Sequence, residues 1–229
     1  MNNSSTLFIK LSKKNFRPEH VCEVGVYLPE TCMVRDFIEQ QAKATLVEAN
    51  PVMVEKIKDA FKGFPKVTVY PYAVSDQPGR LTLYNRGAST FVENIKSPAI
   101  VNDQYGISDA DKFEVEAVVF DQIDDGSINL LCIDIEGAEW QVLSHLKSKP
   151  SVISVETHGK YYTNPKLTEI KKWMDTNGYD IWYKDKSDSV FVKKDIFKIE
   201  SAEKLKLSLM ELYLSLRKLK GNFLNRKKD

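Results

Sequence analysis

Short apolar runs alternate with amphipathic segments along most of the chain. The runs predicted as strands are "VCEVG", "ATLVEA", "VTVYPYAV", "INLLCIDI" and "SVISVET", and the segments predicted as helices are "ETCMVRDFIEQQ", "NPVMVEKIKDAFKG", "AEWQVLSHLK" and residues 165–177. The continuous apolar run "INLLCIDI" is typical of a strand that is buried on both faces. This alternation predicts an α/β fold with a doubly wound, mainly parallel sheet.

Three further segments complete the predicted sheet. "GRLTLYN" and "FEVEAVVF" predict additional strands on either side of a polar loop, residues 86–112, whose length is typical of loops that cover active sites. "YDIWYKDKSDSVFVKK" predicts an antiparallel hairpin that closes the sheet. The second predicted helix has the clearest boundaries, with Asn50 as its cap, Pro51 at its first position and Gly63 just after its end.

The C-terminal segment predicts an amphipathic helix. Its apolar residues recur at steps of three and four and form a leucine seam: Ala202, Leu205, Leu209, Leu212, Leu216, Leu219 and Phe223. The seam packs either on its own domain or against a second copy or a neighbouring domain. Basic residues near the end, among them Arg217, Lys218, Lys220, Arg226, Lys227 and Lys228, indicate a solvated tail. We therefore expect an N-terminal extension (1–17), one main domain (18–195) and a C-terminal helix with a basic tail (196–229).

Composition narrows the class of protein. The 229 residues are 42% hydrophobic and 28% charged, with a formal net charge of +1, so neither nucleic acid nor a membrane is expected as the main partner. No run of 18 apolar residues predicts a spanning helix, and the first residues lack the order of a secretory signal. Of the three cysteines, Cys22 and Cys132 lie in predicted strands, which indicates buried free thiols and a cytoplasmic protein.

Acidic groups stand at the ends of five predicted strands. They are Glu23, Glu48, Ser75–Asp76, Asp134–Ile135–Glu136 and Glu156–Thr157–His158. In a doubly wound sheet these ends meet at one edge, where ligands bind. Each acid alone could cap a helix or lie in a solvated turn. Together their mutual repulsion would cost stability unless a cation or a hydrogen-bonding ligand lay between them, so the set predicts a binding site.

The turn after the first strand, "VCEVGVYLPETC" (21–32), indicates which ligand. It begins like a dinucleotide-binding turn at Gly25, but Pro29 lacks an amide donor and Glu30 is negative where phosphates would lie, which disfavours NAD and FAD. Glu48, 25 residues after Glu23, suits two ribose hydroxyls. The predicted ligand has a ribose, no phosphate and a positive charge, a description that S-adenosylmethionine meets.

Several motifs resemble those of the FkbM-type S-adenosylmethionine-dependent methyltransferases. They are "EVG", "LVEANP", "AVSDQPGRLTLY", "IDIEGAEWQVL", "ISVETH" and "NGY", and together they cover roughly residues 18–193. The resemblance implies a class I methyltransferase (Rossmann-like) fold. It also implies O-methylation of a sugar, polyketide or other metabolite hydroxyl. A carbohydrate hydroxyl is the leading expectation, a small-molecule or lipid-linked acceptor the second, and a non-catalytic binding module on the same fold the third.

The resemblance also implies roles for individual residues. Glu23 and Gly25 would flank the methionine part of the cofactor, Glu48 would bind the ribose, and Asn50, Ala73 and Val74 would surround the adenine. Asp134 and Glu136 would lie beside the transferred methyl. Pro29 departs from the family, which usually has a second glycine there.

Two residues are candidates for the base that removes the hydroxyl proton. They are Asp134 and His158, of which His158 has the intrinsic pKa closer to neutrality. His158 could instead cap a strand end, bonded to Glu156 or a tyrosine. A divalent metal held by Asp134 with Glu136, Glu156 or His158 is a further expectation, because oxygen ligands suit Mg²⁺.

Other side chains are expected to meet the acceptor. Trp140, Tyr161 and Tyr162 could stack on sugar rings, although Trp140 could simply pack its own helix against the sheet. The polar loop offers four more candidates, Ser89, Thr90, Asn94 and Tyr105, or it is only a surface excursion.

Overall fold

The computed structural model describes residues 4–93, 95–103 and 108–225, without side chains at positions 88, 102, 103 and 218–225. The strands, numbered in chain order, are β1 His20–Val24, β2 Lys43–Val47, β3 Val67–Tyr70, β4 Ala73–Val74, β5 Gly79–Tyr84, β6 Phe91–Val92, β7 Lys112–Val118, β8 Leu130–Ile133, β9 Val152–Glu156, β10 Tyr179–Lys184 and β11 Asp188–Lys193. The helices are α1 Thr6–Lys13, α2 Arg35–Glu39, α3 Pro51–Phe61, α4 Pro98–Asp103, α5 Glu139–Leu143, α6 Leu167–Thr176 and α7 Ser201–Asn225.

A seven-stranded sheet forms the centre of the domain, in the order β10-β11-β9-β8-β1-β2-β3. Neighbours from β3 to β9 are parallel, whereas β11 is antiparallel to both β9 and β10. The predicted α/β fold with a mainly parallel sheet and an antiparallel terminal hairpin is therefore confirmed. The strand order reverses between β1 and β8, which places a crevice at their carboxyl ends.

The predicted strand "VTVYPYAV" is in fact two strands in two sheets. β3 ends at Tyr70 and pairs with β2, whereas β4 begins at Ala73 and joins a second sheet of order β4-β7-β5-β6. Pro71 lies between them and has no amide hydrogen to continue the ladder. The polar loop 86–112 contributes β6 and α4, so it is not a plain loop. Asn94 and Tyr105 lie outside the described residues.

The two faces of the central sheet carry separate apolar clusters. One cluster includes side chains of α1, α2 and α3, and the other includes side chains of α5 and α6, as a doubly wound fold requires. Cys22, Cys32 and Cys132 are buried free thiols, which confirms that prediction.

Two helices are shorter than predicted, and a buried carboxylate explains each difference. The helix expected from Glu30 begins at Arg35, because the Glu23 carboxylate accepts the Val34 amide (3.2 Å) and holds the chain before it in a turn. The helix expected to reach Lys147 ends at Leu143. There the Asp124 carboxylate accepts the Lys147 amide (2.8 Å), so the chain turns away.

The N-terminal segment, expected to be an extension, contains α1. Ser5 caps this helix by accepting the Phe8 amide at 3.2 Å. Leu7 and Leu11, four residues apart on one face, are buried in the core cluster that includes α2. The described part of residues 1–17 therefore packs as a layer of the domain.

α7 packs on β10 with a stripe of half-buried residues that does not include the leucine seam. Glu203 anchors the start of the stripe, accepting from Trp182 Nε1 (2.9 Å) and from Lys14 Nζ (2.6 Å). The described leucines of the seam face outward and are 57–62% exposed: Leu205, Leu209, Leu212 and Leu216. The alternative in which the seam packs on its own domain is wrong for these residues.

The remaining C-terminal expectations fall outside the described part. The side chains of Lys218, Leu219, Lys220 and Phe223 are not described, nor are residues 226–229. Within the described ranges, none of the helices has the combined length and hydropathy of a membrane span.

Replacing Leu11 with alanine should lower the free energy of unfolding by about 2–5 kcal/mol, because it leaves a cavity under α1. Ile9→Ala is the matched control, since Ile9 lies in the same helix but is 43% exposed, and it should change stability by less than about 0.5 kcal/mol. Urea denaturation followed by circular dichroism measures both. Equal effects of the two substitutions would show that α1 does not pack as described.

Candidate functional site

A cavity opens at the carboxyl ends of β1 and β8, where the strand order reverses. The empty space in it and at its open mouth is about 650 Å³. The predicted site residues that line it are Gly25, Glu48, Asn50, Ala73, Val74, Asp134 and Glu136. Glu23 and His158 do not line it. The structure thus gathers seven of the nine predicted residues around one space.

Gly25 allows β1 and β8 to approach at the cavity. Its φ is +90°, and a Cβ at this position would lie 1.8 Å from the carbonyl oxygen of Asp134. Residues 25–34 form no helix, and the carboxylate of Glu30 is exposed. The turn therefore has no side chain at Gly25, its Tyr27 lines the cavity, and it lacks the helix N-terminus that pyrophosphate-binding turns use.

Glu48 stands at the end of β2 and is fixed in place by backbone amides. Its two carboxylate oxygens accept from Tyr27 N and Asn50 N, each at 2.8 Å. Burial raises the pKa of Glu48, and these amide hydrogen bonds oppose that rise. Since each carboxylate oxygen can accept more than one hydrogen bond, both remain able to accept from a pair of hydroxyl groups.

Glu23 lies beneath the turn. Its carboxylate accepts from Cys32 Sγ (3.1 Å) and from Val34 N (3.2 Å). Burial raises its pKa to about 7. Glu23 therefore does not contact the cavity directly. It acts on the cavity by holding the turn that borders it.

Beside the cavity lies an acid cluster formed by Asp134, Glu139 and Glu156. One carboxylate oxygen from each lies within 4.8 Å of the others. Among the described residues, no Lys or Arg forms an ion pair with any of the three. Asp134 belongs both to the cluster and to the cavity lining, so it connects the two.

The environment of the acid cluster favours the neutral form of each acid. Burial is the main cause, and the neighbouring carboxylates add to it for Asp134 and Glu156. The pKa of Asp134 is raised well above its ordinary value, that of Glu139 to about 7 and that of Glu156 to about 11. A positively charged ligand beside the cluster would reverse this preference.

Glu139 was not among the predicted site residues. Its carboxylate accepts from Ile135 N (3.1 Å), from Gly137 N (3.0 Å) and from Asn164 Nδ2. The signal was present in the motif "DIEGAE", whose last residue it is. A lone glutamate at the start of a helix is, however, typical of a cap, and Glu139 does hold the turn before α5.

His158 lies in a second groove, formed by residues 157–163 with parts of α6 and α7. Its Nε2 lies 3.1 Å from the carbonyl oxygen of Asp185, which can only accept, so Nε2 carries a hydrogen. Its Nδ1 lies 2.9 Å from Thr157 Oγ1. Burial lowers its pKa. A capping role for His158 was expected to involve a hydrogen bond to Glu156 or a tyrosine. In the structure its hydrogen-bond partners are Thr157 and Asp185 instead.

The other side chains expected to meet an acceptor are divided between the two spaces. Thr90 lines the cavity, whereas Ser89 does not. Tyr161 lies in the second groove and is 41% exposed, while Tyr162 is buried. Trp140 packs against the core cluster that includes α5 and α6, as its packing alternative predicted.

The chain is distantly similar to solved structures, among them three that are named as a methyltransferase or methylase. A SAM-dependent methyltransferase of Aquifex aeolicus is 11% identical, with 80% of this chain and 87% of that chain covered and a TM-score of 0.44. Precorrin-6y C5,15-methyltransferase of Geobacter metallireducens is 15% identical, with coverage of 82% and 87% and a TM-score of 0.40. Ribosomal protein L11 methylase of Lactobacillus delbrueckii is 11% identical, with coverage of 82% and 76% and a TM-score of 0.40.

No curated protein matches the chain. A family model does: the methyltransferase FkbM domain matches residues 23–181, from β1 to the middle of β10. This match spans well over half of the 229 residues, and it decides the assignment independently of the distant structural likenesses. The chain belongs to the FkbM methyltransferase domain family and is an S-adenosylmethionine-dependent methyltransferase with the class I fold.

Proposed function

We propose that this methyltransferase acts on oxygen and that its acceptor is a hydroxyl group of a sugar in a glycan or glycosylated molecule. The observation that carries the proposal is the position of Asp134, which lines the cavity and also belongs to the acid cluster. A hydroxyl is a weak nucleophile and needs a base as its bond to carbon forms. Asp134 places a carboxylate where the cavity meets the acid cluster, and this carboxylate can serve as the base.

The cavity fits S-adenosylmethionine part by part. Glu48 presents two fixed carboxylate oxygens to the ribose hydroxyls. Asn50, Ala73 and Val74 would surround the adenine, and Gly25 would leave room for the methionine part, with Glu23 holding the turn below it. Asp134 and Glu136 lie beside the transferred methyl, where their negative charge favours a cation.

When bound, the cofactor supplies an electrophilic methyl group on a positively charged sulfur. The chain's own residues align the acceptor and receive its proton. Asp134 suits the second task, because it lines the cavity with a carboxylate that is paired with no Lys or Arg among the described residues. The contacts favour Asp134 over His158, because both ring nitrogens of His158 are already hydrogen-bonded.

A sugar acceptor is supported by charge and by an aromatic surface. Among the described residues, no Lys or Arg is paired with the acid cluster, so the protein offers no basic group there to an acceptor phosphate or carboxylate, whereas the carboxyl oxygens would accept hydrogen bonds from a neutral polyol. An acceptor long enough to extend into the second groove would meet the ring of Tyr161, which is 41% exposed and has Lys160 Nζ 5.1 Å from its centroid. A neutral small-molecule or lipid-linked hydroxyl is the alternative. A divalent cation with oxygen ligands is a further part of the proposal.

We also propose that the leucine seam pairs with the seam of a second copy. Its residues follow the three-four spacing of a coiled coil, and the described leucines are exposed. The stripe of α7 that packs on β10 lies on a different side of the helix, so pairing leaves that packing intact.

Glu48→Gln should weaken binding of S-adenosylmethionine about 10–100-fold, because a charged acceptor for two hydroxyls becomes a neutral one worth about 1.5–3 kcal/mol less. Isothermal titration calorimetry measures the affinity. Glu55→Gln, which changes an exposed glutamate on α3, is the control and should bind like the unchanged protein. Equal affinity of the Glu48→Gln variant would remove Glu48 from the cofactor site.

Asp134→Asn should lower kcat about 10²–10⁴-fold in a methyl-transfer assay with a panel of hexose and deoxysugar glycans, read by mass spectrometry. The pKa of Asp134 is raised, so its carboxylate forms only as pH rises. We therefore expect kcat/KM to rise with pH through a limb above the ordinary aspartate range of about 4, and this limb should vanish in the variant. A limb that persists in Asp134→Asn and vanishes in His158→Asn would assign the base to His158.

The full chain should have twice its 26.2 kDa mass in light scattering after size-exclusion chromatography. Replacing Leu209 and Leu212 together with aspartate should give a monomer, because the substitution puts charge in the apolar seam. Lys204→Ala, on the same helix outside the seam, should leave the dimer unchanged. A monomer at about 100 μM in the unchanged protein would contradict the pairing.

A further inference from the structure

We infer that the acid cluster of Asp134, Glu139 and Glu156 binds one hard divalent cation of the Ca²⁺, Mn²⁺ or Mg²⁺ class beside the reacting hydroxyl. The use of this cation in catalysis rests on the proposed function, whereas its binding does not. The inference names Glu139 as a ligand in place of Glu136 or His158, the partners expected from the sequence.

The spacing of the cluster suits one ion. The three oxygens lie within 4.8 Å of one another. Two oxygens bound to one Ca²⁺ at about 2.3–2.6 Å can lie up to about 5 Å apart, and two bound to one Mg²⁺ at about 2.0–2.1 Å up to about 4.2 Å. For three oxygens within 4.8 Å of one another, an ion between them can lie within about 2.8 Å of each, so Ca²⁺ needs the oxygens to close by at most about 0.5 Å and Mg²⁺ by at most about 0.8 Å.

Glu156 provides an independent indication of a ligand. Its side chain, at the end of β9, is only 6% exposed. Its Oε2 has no hydrogen-bond partner among the described residues, although the oxygen is shielded from solvent. A buried polar atom without a partner costs about 1–3 kcal/mol, and more when it is charged. A cation bound between Glu156 and the two other carboxylates would remove that cost.

Hydrogen bonds orient the Glu139 carboxylate and the backbone of Glu156, as they usually do for metal ligands in proteins. Asn164 donates through Nδ2 to the Glu139 carboxylate and to the carbonyl oxygen of Glu156 (3.3 Å). The amides of Ile135 and Gly137 hold the second oxygen of Glu139. Such contacts fix the orientation of ligand carboxylates before the ion binds.

The charges of the cluster and its expected ligands balance. Three ionised carboxylates carry three negative charges, and the sulfonium of the cofactor carries one positive charge. Among the described residues, no Lys or Arg is ion-paired with the cluster to neutralise the rest. A divalent cation supplies the two missing positive charges. A hydroxyl oxygen bound to that cation would also lose its proton to Asp134 more readily.

Mn²⁺ is the probe for the test. It is titrated into the chelator-treated full chain, and electron paramagnetic resonance measures the free ion. We expect one Mn²⁺ per chain, displaced by Ca²⁺, and at least tenfold weaker binding by Glu156→Gln. Glu116→Gln, an exposed glutamate on β7, is the control and should bind like the unchanged protein.

Thermal unfolding keeps the test independent of any folding defect. Without metal, Glu156→Gln should be at least as stable as the unchanged protein, because glutamine is close in shape to the neutral form of Glu156 that the buried cluster favours. Mn²⁺ should raise the Tm of the unchanged protein and leave that of Glu156→Gln unaltered. An equal Tm shift in both proteins would overturn the inference.

Cofactor binding distinguishes the two proposals. If calorimetry shows that S-adenosylmethionine binds while Mn²⁺ shows no binding, or binding that Glu156→Gln does not weaken, the cation site is overturned and the proposed function stands. If Mn²⁺ binds as expected but Glu48→Gln and Asp134→Asn leave cofactor binding and methyl transfer unchanged, the cation site stands and the proposed function fails.

Discussion

The burial of several carboxylates at one edge of the central sheet, without basic partners in the described residues, is the constraint on which the site depends. Water stabilises an ionised carboxylate far better than a protein interior does, so each of these groups needs compensation. Glu23 and Glu48 obtain it from backbone amides of the neighbouring turn. Asp134 and Glu156 have no comparable set of donors within the part of the chain that the structure describes. The free energy of folding must therefore hold these acids in a position that favours a cationic ligand.

The parallel sheet is what makes such an arrangement attainable. Strands β1, β2, β8 and β9 run in the same direction, so their carboxyl ends reach one edge although they are far apart in sequence. Apolar clusters on both faces fix the strands. The close contact of Gly25 with the Asp134 carbonyl then brings the turn after β1 against the end of β8. The packed core therefore also fixes the positions of the side chains that line the cavity.

Much of this could be predicted from the sequence because strands and cap residues leave local signals. The apolar run before Asp134 and the Asn50–Pro51 pair each specify a local structure, and parallel pairing brings the strand ends together. Long-range contacts leave weaker signals. The start of α2 depends on the carboxylate of Glu23, which lies eleven residues before Val34 in the chain. The two halves of "VTVYPYAV" differ only in the strands with which they pair. The bonded state of His158 depends on Asp185, 27 residues away.

Glu203 has a consequence for how the domain can be joined to other polypeptides. Through Lys14 it links the first helix of the chain to the last, and Lys14 also donates to the carbonyl of Lys198 at 2.8 Å. The two boundaries of the sheet-forming part of the chain are therefore neighbours in space. A fusion or circular permutation must therefore keep both α1 and α7, because cutting the chain between β11 and Glu203 would take from Lys14 and Trp182 the carboxylate that they share.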